Sequence, residues 1–316
     1  SVAFNNFDYK ISKQYFDKFN KSNKNNQKLS SSFLKSLINS QNYKDAITYS
    51  KNLESKNQLN FESLLFLGLN EFKNKNFIKA KFYFNELKPN FENQIVFAPL
   101  KLSLMNWSEI MISNNASDIK FIKTMPNNYG SFKSIQEAFA YCYFDSLDVD
   151  AKFSKIIKNE GDKFYRYNFF YANYLIEKNR KKEATLILET SANKYPRNLL
   201  INQLKENLKR NNKSKNKFSC QNPEDILAEI FYAFANALSV QKSFELSTLY
   251  INLSKYLNSN FKSYDALLAE NLLKLGKKED SKKILLKLFE IGSFYKWNSS
   301  KEVALIIEDL EGREES

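Results

Sequence analysis

Asn42-Tyr43-Lys44-Asp45-Ala46-Ile47-Thr48-Tyr49 and Asn76-Phe77-Ile78-Lys79-Ala80-Lys81-Phe82-Tyr83 follow one pattern, and Ala46 and Ala80 stand 34 residues apart. A recurrence at that period marks a stack of paired amphipathic helices, because one unit alone cannot bury its apolar face. Working outward, Leu34 precedes Gly68 by 34 and Ala151 precedes Ala184 by 33. Ala235 and Ala269 are 34 apart, as are Ser247 and Ser281. Small residues at such positions let two helices approach to about 8–10 Å, and large side chains fill the space around the contact. The clearest unit sets Leu64, Leu67 and Gly68 on a first helix and Ala80, Phe84 and Leu87 on a second. Another sets Ala172 against Ala184 and Leu188, with Pro196 closing the second helix because it cannot extend it.

The pattern predicts helix pairs over 29–54, 60–87, 94–125, 131–159, 164–195, 223–257 and 260–290, with an irregular helix over 199–209. The 94–125 pair is the least regular, with Pro99 near its start and Pro126 at its end. One break interrupts the array. Residues 210–222, centred on Asn211-Asn212-Lys213-Ser214-Lys215-Asn216-Lys217, read as a solvated basic linker between repeats 1–209 and 223–316. Pro223 then opens a helix with Asn222 in the N-cap position. At the start, residues 8–15 align with 42–49, so Ser12 falls 34 before Ala46 and the chain opens in mid-repeat. At the other end Leu310-Glu311-Gly312-Arg313-Glu314-Glu315-Ser316 matches Leu275-Gly276-Lys277-Lys278-Glu279-Asp280-Ser281 with one residue inserted. The expectation is a fragment of a longer array, cut within a repeat at both ends.

The 28 Phe and 18 Tyr supply ample core volume, and 6 Gly with 5 Pro suits helices joined by short polar turns. The best candidate for a bilayer span, Ile226 to Val240, is interrupted by Glu229 and Asn236 and falls short of the length needed, so no transmembrane segment is expected. The formal charge is +13, but arginine occurs only at positions 166, 180, 197, 210 and 313. Since Arg is the side chain suited to bidentate phosphate and base contacts, its scarcity weighs against nucleic acid as the partner. Of the two cysteines, Cys142 reads as a small buried hydrophobe and Cys220 as an exposed linker residue, with no disulfide framework and no metal site.

The chain resembles the tetratricopeptide-repeat family over nearly its whole length, on Leu67-Gly68, Ala80 and Phe84 and on Ala172, Ala184 and Pro196. The resemblance implies an all-α, right-handed superhelical solenoid of antiparallel helix pairs, whose concave groove binds an extended peptide or a partner helix. The stretch from Pro223 to Leu238 also resembles a segment of secreted bacterial proteins of this family, which implies an envelope or periplasmic location. Most first-helix Trp and Tyr positions of the family consensus carry Leu, Phe or Ala here.

Chemistry is thin. There is no histidine, which removes Ser-His-Asp and Cys-His arrangements and the commonest metal ligand. No phosphate-cradling glycine loop occurs, and no cofactor is expected. The pairs Glu224-Asp225, Glu279-Asp280 and Glu314-Glu315 fall at expected helix starts, where negative charge favours the macrodipole. In register, the first-helix groove face holds Lys133, Gln136, Tyr143, Arg166, Phe169, Asn173, Glu177, Glu229, Tyr232, Asn236, Glu270 and Lys274. Asn173 and Asn236 each follow an aromatic, Phe169 and Tyr232, by four residues, and an amide beside a ring suits an extended peptide. Family members that clamp a terminal carboxylate use Lys and Asn where this chain has Leu65 and Leu69. The reading is therefore a non-catalytic protein-interaction scaffold. The alternatives are an accessory repeat domain of an enzyme and a surface that binds nucleic acid or anionic membrane. The last would use Lys205, Lys209, Arg210, Lys213, Lys215 and Lys217 as a polyanion site.

Overall fold

The computed structural model describes residues 27–90, 92–159 and 165–311, and within them the chain is all-α. Sixteen α-helices succeed one another among the described residues. They are α1 Gln27–Asn39, α2 Tyr43–Ser55, α3 Phe61–Lys73, α4 Phe77–Asn85, α5 Gln94–Ser113, α6 Lys120–Lys123, α7 Gly130–Tyr143 and α8 Val149–Asn159. Then come α9 Arg166–Glu177, α10 Lys181–Lys194, α11 Leu199–Lys209, α12 Pro223–Val240, α13 Phe244–Leu257, α14 Tyr264–Lys274, α15 Lys278–Leu288 and α16 Ser293–Glu311. Contacts run mostly between consecutive helices, the pattern of a helical repeat array. The alignment of residues 8–15, the boundary at 164 and the closing turn at 312–316 lie outside the described residues.

The repeat is visible in the backbone. Gln41, Lys75, Asp145, Asn179, Lys242 and Gly276 all have positive φ, between 51° and 74°, in the turns that join paired helices. The next residue in each case, from Asn42 to Lys277, donates its N–H to the carbonyl five residues back, at 2.8–3.0 Å. That six-to-one bond with a left-handed residue before it is the Schellman turn, which satisfies carbonyls left open at a helix end. Gln41 and Lys75, Asp145 and Asn179, and Lys242 and Gly276 are each 34 apart. The small residues also fall as expected: Ala46, Ala80, Ala184, Ser247 and Ser281 are fully buried. Ser247 and Ser281 donate their hydroxyls to the carbonyls of Ala235 and Ala269 on the preceding helix, at 2.6 and 2.8 Å. Gly68 makes room for a ring, since a Cβ there would lie 2.3 Å from Phe84 Cε1.

Several expectations need correction. The 94–125 pair has no full second helix: α5 runs 20 residues through Pro99, followed by a 3-10 turn over Ala116–Ile119 and the single turn of α6. By length and composition α5 could cross a bilayer, a property that a search for uninterrupted apolar runs passes over. Its Leu100, Leu104, Trp107 and Ile110 are buried in the core. In α8 the register slips after a longer turn, so Ala151 is exposed and Phe153 is buried beside Phe139 and Tyr171. Asn222 precedes α12 but does not cap it; its amide donates to Asp225 Oδ1 at 2.9 Å.

Residues 210–222 are a docked strap, not a solvated linker. Lys213, Lys215 and Lys217 face water, while Asn216, Phe218 and Cys220 are buried. That is the alternation of extended chain, in which successive side chains point to opposite faces. Asn216 forms a bridge with Phe261, and Lys217 donates its N–H to the Asn260 carbonyl at 3.1 Å. Phe218 packs among Phe139, Phe170 and Phe261 with centroids 4.4–6.2 Å away. Neither cysteine is free: Cys142 and Cys220 form a disulfide, with Cα atoms 5.8 Å apart, inside the range such a bond spans. It ties the strap to α7.

The two blocks on either side of the strap also touch. α12 contacts α5 and α7, and α13 contacts α1. The Tyr43 hydroxyl donates to the Asn252 carbonyl at 3.0 Å, and that of Tyr256 to Asn70 Oδ1 at 2.9 Å. Phe66 meets Tyr256 at 4.9 Å, and Leu65 and Leu69, read as groove positions, are buried.

Candidate functional site

The first turns of several helices converge on one cavity. It is lined by residues at or beside the N-terminal ends of α7, α9, α11, α14 and α16, among them Phe132, Tyr165, Leu199, Ser263 and Tyr295. The last two thirds of α12, from Glu229 to Val240, close the opposite side. The volume is about 840 Å³, within the range of small-ligand sites. Its walls are mostly aromatic and aliphatic, with Tyr129, Tyr167, Tyr232, Phe234 and Pro99 completing them. Tyr165, Asn236, Ala237 and Val240 are exposed at the rim. Phe132 and Phe234 meet at 4.8 Å, and Tyr165 packs on Tyr195 at 4.9 Å.

A buried ion pair also lines the cavity. Arg166 donates from Nε and Nη2 to the two carboxylate oxygens of Glu229, at 2.7 and 3.0 Å. Glu229 is wholly buried, and the guanidinium lies 3.8 Å from the Tyr232 ring centroid and within 5.5 Å of those of Phe170 and Phe261. Burial pushes the Glu229 carboxyl up and Arg166 pulls it back. Burial likewise holds the Tyr167 and Tyr264 phenols well above their ordinary range. Removing one partner of such a pair strands the other charge, which costs roughly 3–5 kcal/mol. The pair's charges and hydrogen bonds satisfy each other, so it organises the wall and is no free acid or base.

Of the residues placed on the groove face by register, Arg166, Glu229, Tyr232 and Asn236 come together at this cavity. The others do not. Gln136 is buried, accepting from Trp107 Nε1 at 3.2 Å and donating to Ser103 Oγ at 3.0 Å. Phe169 is in the core, and Tyr143 packs edge-on to Trp107. Asn173 donates to the Phe218 carbonyl at 2.7 Å, and Glu177 accepts from Ser219 Oγ at 3.3 Å, so both hold the strap. Lys133 donates to the Met125 carbonyl at 2.9 Å. Glu270 and Lys274 are exposed on α14. The proposed polyanion residues are spread over α11 and the strap, with Arg210 paired to Glu206 at 2.9 Å and Lys205 half-buried. Among the described residues no cluster of acidic and cysteine side chains could hold a metal. The aromatics Tyr129, Phe132, Tyr165 and Tyr295 were missed because they precede or open helices, ahead of the mid-helix positions that carry the repeat signal. Comparison with protein-family models and with curated proteins finds no match to this chain.

Proposed function

We propose that this chain is a tetratricopeptide-like interaction module that receives an apolar anchor of a partner segment in the aromatic cavity beside α12. The observation that carries the reading is the cavity itself: aromatic walls, a neutralised ion pair and an open polar rim at Asn236. Such a site would reward a Phe, Tyr or Leu side chain by burial, at about 25 cal/mol per Å² of apolar surface, and an exposed amide at the rim is able to pair with the backbone of the segment that carries it. The 34-residue recurrence of the Schellman turns supports the family reading and a right-handed solenoid. The Cys142–Cys220 bond supports an oxidising compartment, in keeping with an envelope location. Catalysis is not part of the proposal.

The test uses displayed random peptides selected on the whole chain, then re-measured on Ala237→Arg, an exposed rim substitution that fills the mouth without touching the core. The expected result is enrichment of peptides with one large apolar anchor, at least tenfold weaker binding to the variant, and little dependence on salt. Selected ligands that lose affinity steeply with salt and ignore Ala237→Arg would instead favour a polyanion surface.

A further inference from the structure

A second concavity adjoins the first across Leu199, between the start of α11 and the outer face of α16, with a volume of about 720 Å³. On α16, Phe294, Trp297, Lys301 and Leu305 fall on one helical face by their spacing of three, four and four residues. That face is open: Trp297 is 66% exposed, Leu305 57% and Phe294 36%. The other face carries Tyr295, Val303 and Ile306 into the core, so α16 is already anchored without this stripe. Two cations line the trough. Lys301 Nζ sits 5.1 Å from the Trp297 ring centroid, and Arg197 is an exposed lining residue of the same trough. Among the described residues no carboxylate pairs with either, since Glu206, the one acid in the trough, is taken by Arg210, Gln203 and Ser293.

We propose that this trough is a docking surface for an acidic peptide segment bearing an aromatic or large aliphatic side chain. The anchor would lie against Trp297 and Phe294, and flanking carboxylates would pair with Arg197 and Lys301. Two cations with no carboxylate partner among the described residues, beside exposed rings, call for an occupant that is both anionic and apolar, and the chain's charge of +13 speeds encounter with acidic partners. The concave shape suits a peptide better than a flat bilayer. The inference stands on residues other than those proposed to seat the anchor in the aromatic cavity, apart from the shared wall of Leu199.

The chain reports on its own site, because Trp107 is fully buried and Trp297 is the only other tryptophan. The full chain is titrated with a synthetic peptide of alternating Glu and Phe, and separately with alternating Lys and Phe, oligothymidine, and phosphatidylglycerol vesicles. The expected result is a blue shift of tryptophan emission with the Glu–Phe peptide alone. Its affinity should fall roughly tenfold or more in the double variant Arg197→Glu with Lys301→Glu, with an unchanged thermal melt. A labelled Glu–Phe peptide should also lose affinity for Trp297→Ala, a neutral change that leaves both cations in place. Equal binding of the Lys–Phe peptide, preference for oligothymidine or vesicles, or indifference to charge reversal would overturn the proposal. So would a free chain whose emission is already blue and resists acrylamide quenching, since the face would then be covered.

Discussion

At the residue scale, two positions expose opposing forces whose balance can be measured. Gly68 sits mid-helix, where Ala would ordinarily be better by about 0.5–1 kcal/mol. Against that, its added Cβ meets the Phe84 ring at 2.3 Å, and overpacking of this kind costs about 1–3 kcal/mol. The clash wins because Phe84 is itself fully buried, so Gly68→Ala is expected to lower the urea midpoint; a raised midpoint would show that the ring can move aside. Asp225 is the second case. Burial pushes its carboxyl up to about 6, although the Ser219 N–H and the Asn222 amide both donate to it. Its folded value lies above the ordinary 3.8, so the folded state holds the proton more tightly than the unfolded chain. Its contribution is full below about pH 4 and is lost as pH rises through about 6, a change of roughly 2–3 kcal/mol. Thermal melts from pH 4 to pH 7 should show this decline in the wild type and a flatter profile in Asp225→Asn. Parallel profiles for the two proteins would assign the decline to other groups.

At the scale of the element, the paired helices are joined by one repeated turn whose left-handed residue varies. At Lys242 the turn carries a side chain, and 34 residues on the same position is Gly276, where an added Cβ would meet open space. The difference between them is therefore one of backbone alone. A non-glycine residue at such an angle costs about 1–2 kcal/mol in the folded state, partly offset by the greater freedom of glycine in the unfolded chain. Lys242→Gly is expected to stabilise by roughly 0.5–1 kcal/mol and Gly276→Lys to destabilise by a similar amount, both read from denaturant melts. Same-sign changes would mean that the two turns are not equivalent. The pairing of the helices was legible in advance, because small-residue spacing acts between neighbours in sequence, whereas the left-handed residue shared by the turns emerged only from the backbone. The departures at α6 and α8 arise where turn length changes and the spacing no longer reports which side faces inward.

At the scale of the whole molecule, the strap and its disulfide join parts that the repeat pattern treats as separate. Cys142 and Cys220 are 78 residues apart, and closing a loop of that length restricts the unfolded chain by roughly 4–5 kcal/mol in the chain-entropy account. Replacing both with alanine, or melting under reductant, should cost about 2–5 kcal/mol and lower the melting temperature. The native chain should show no reactive thiol by a thiol titration. Full thiol reactivity, or a melt indifferent to reductant, would exclude the bond. The same strap positions the candidate site indirectly, since Phe218 packs on Phe170, whose helix carries Arg166.

The sequence by itself determined most of the helix pairs and the small residues at their crossings. Each depends on spacing within one or two adjacent elements, which a linear pattern records. Only the tertiary structure decided which faces stay open. The Tyr43–Asn252 contact spans 209 residues and the Arg166–Glu229 pair spans 63, and no local period encodes a meeting at such a distance. The face read as one continuous groove is therefore divided. Gln136 and Phe169 lie in the core, Asn173 and Glu177 hold the strap, and Arg166, Glu229, Tyr232 and Asn236 are left around the cavity where several helix starts converge.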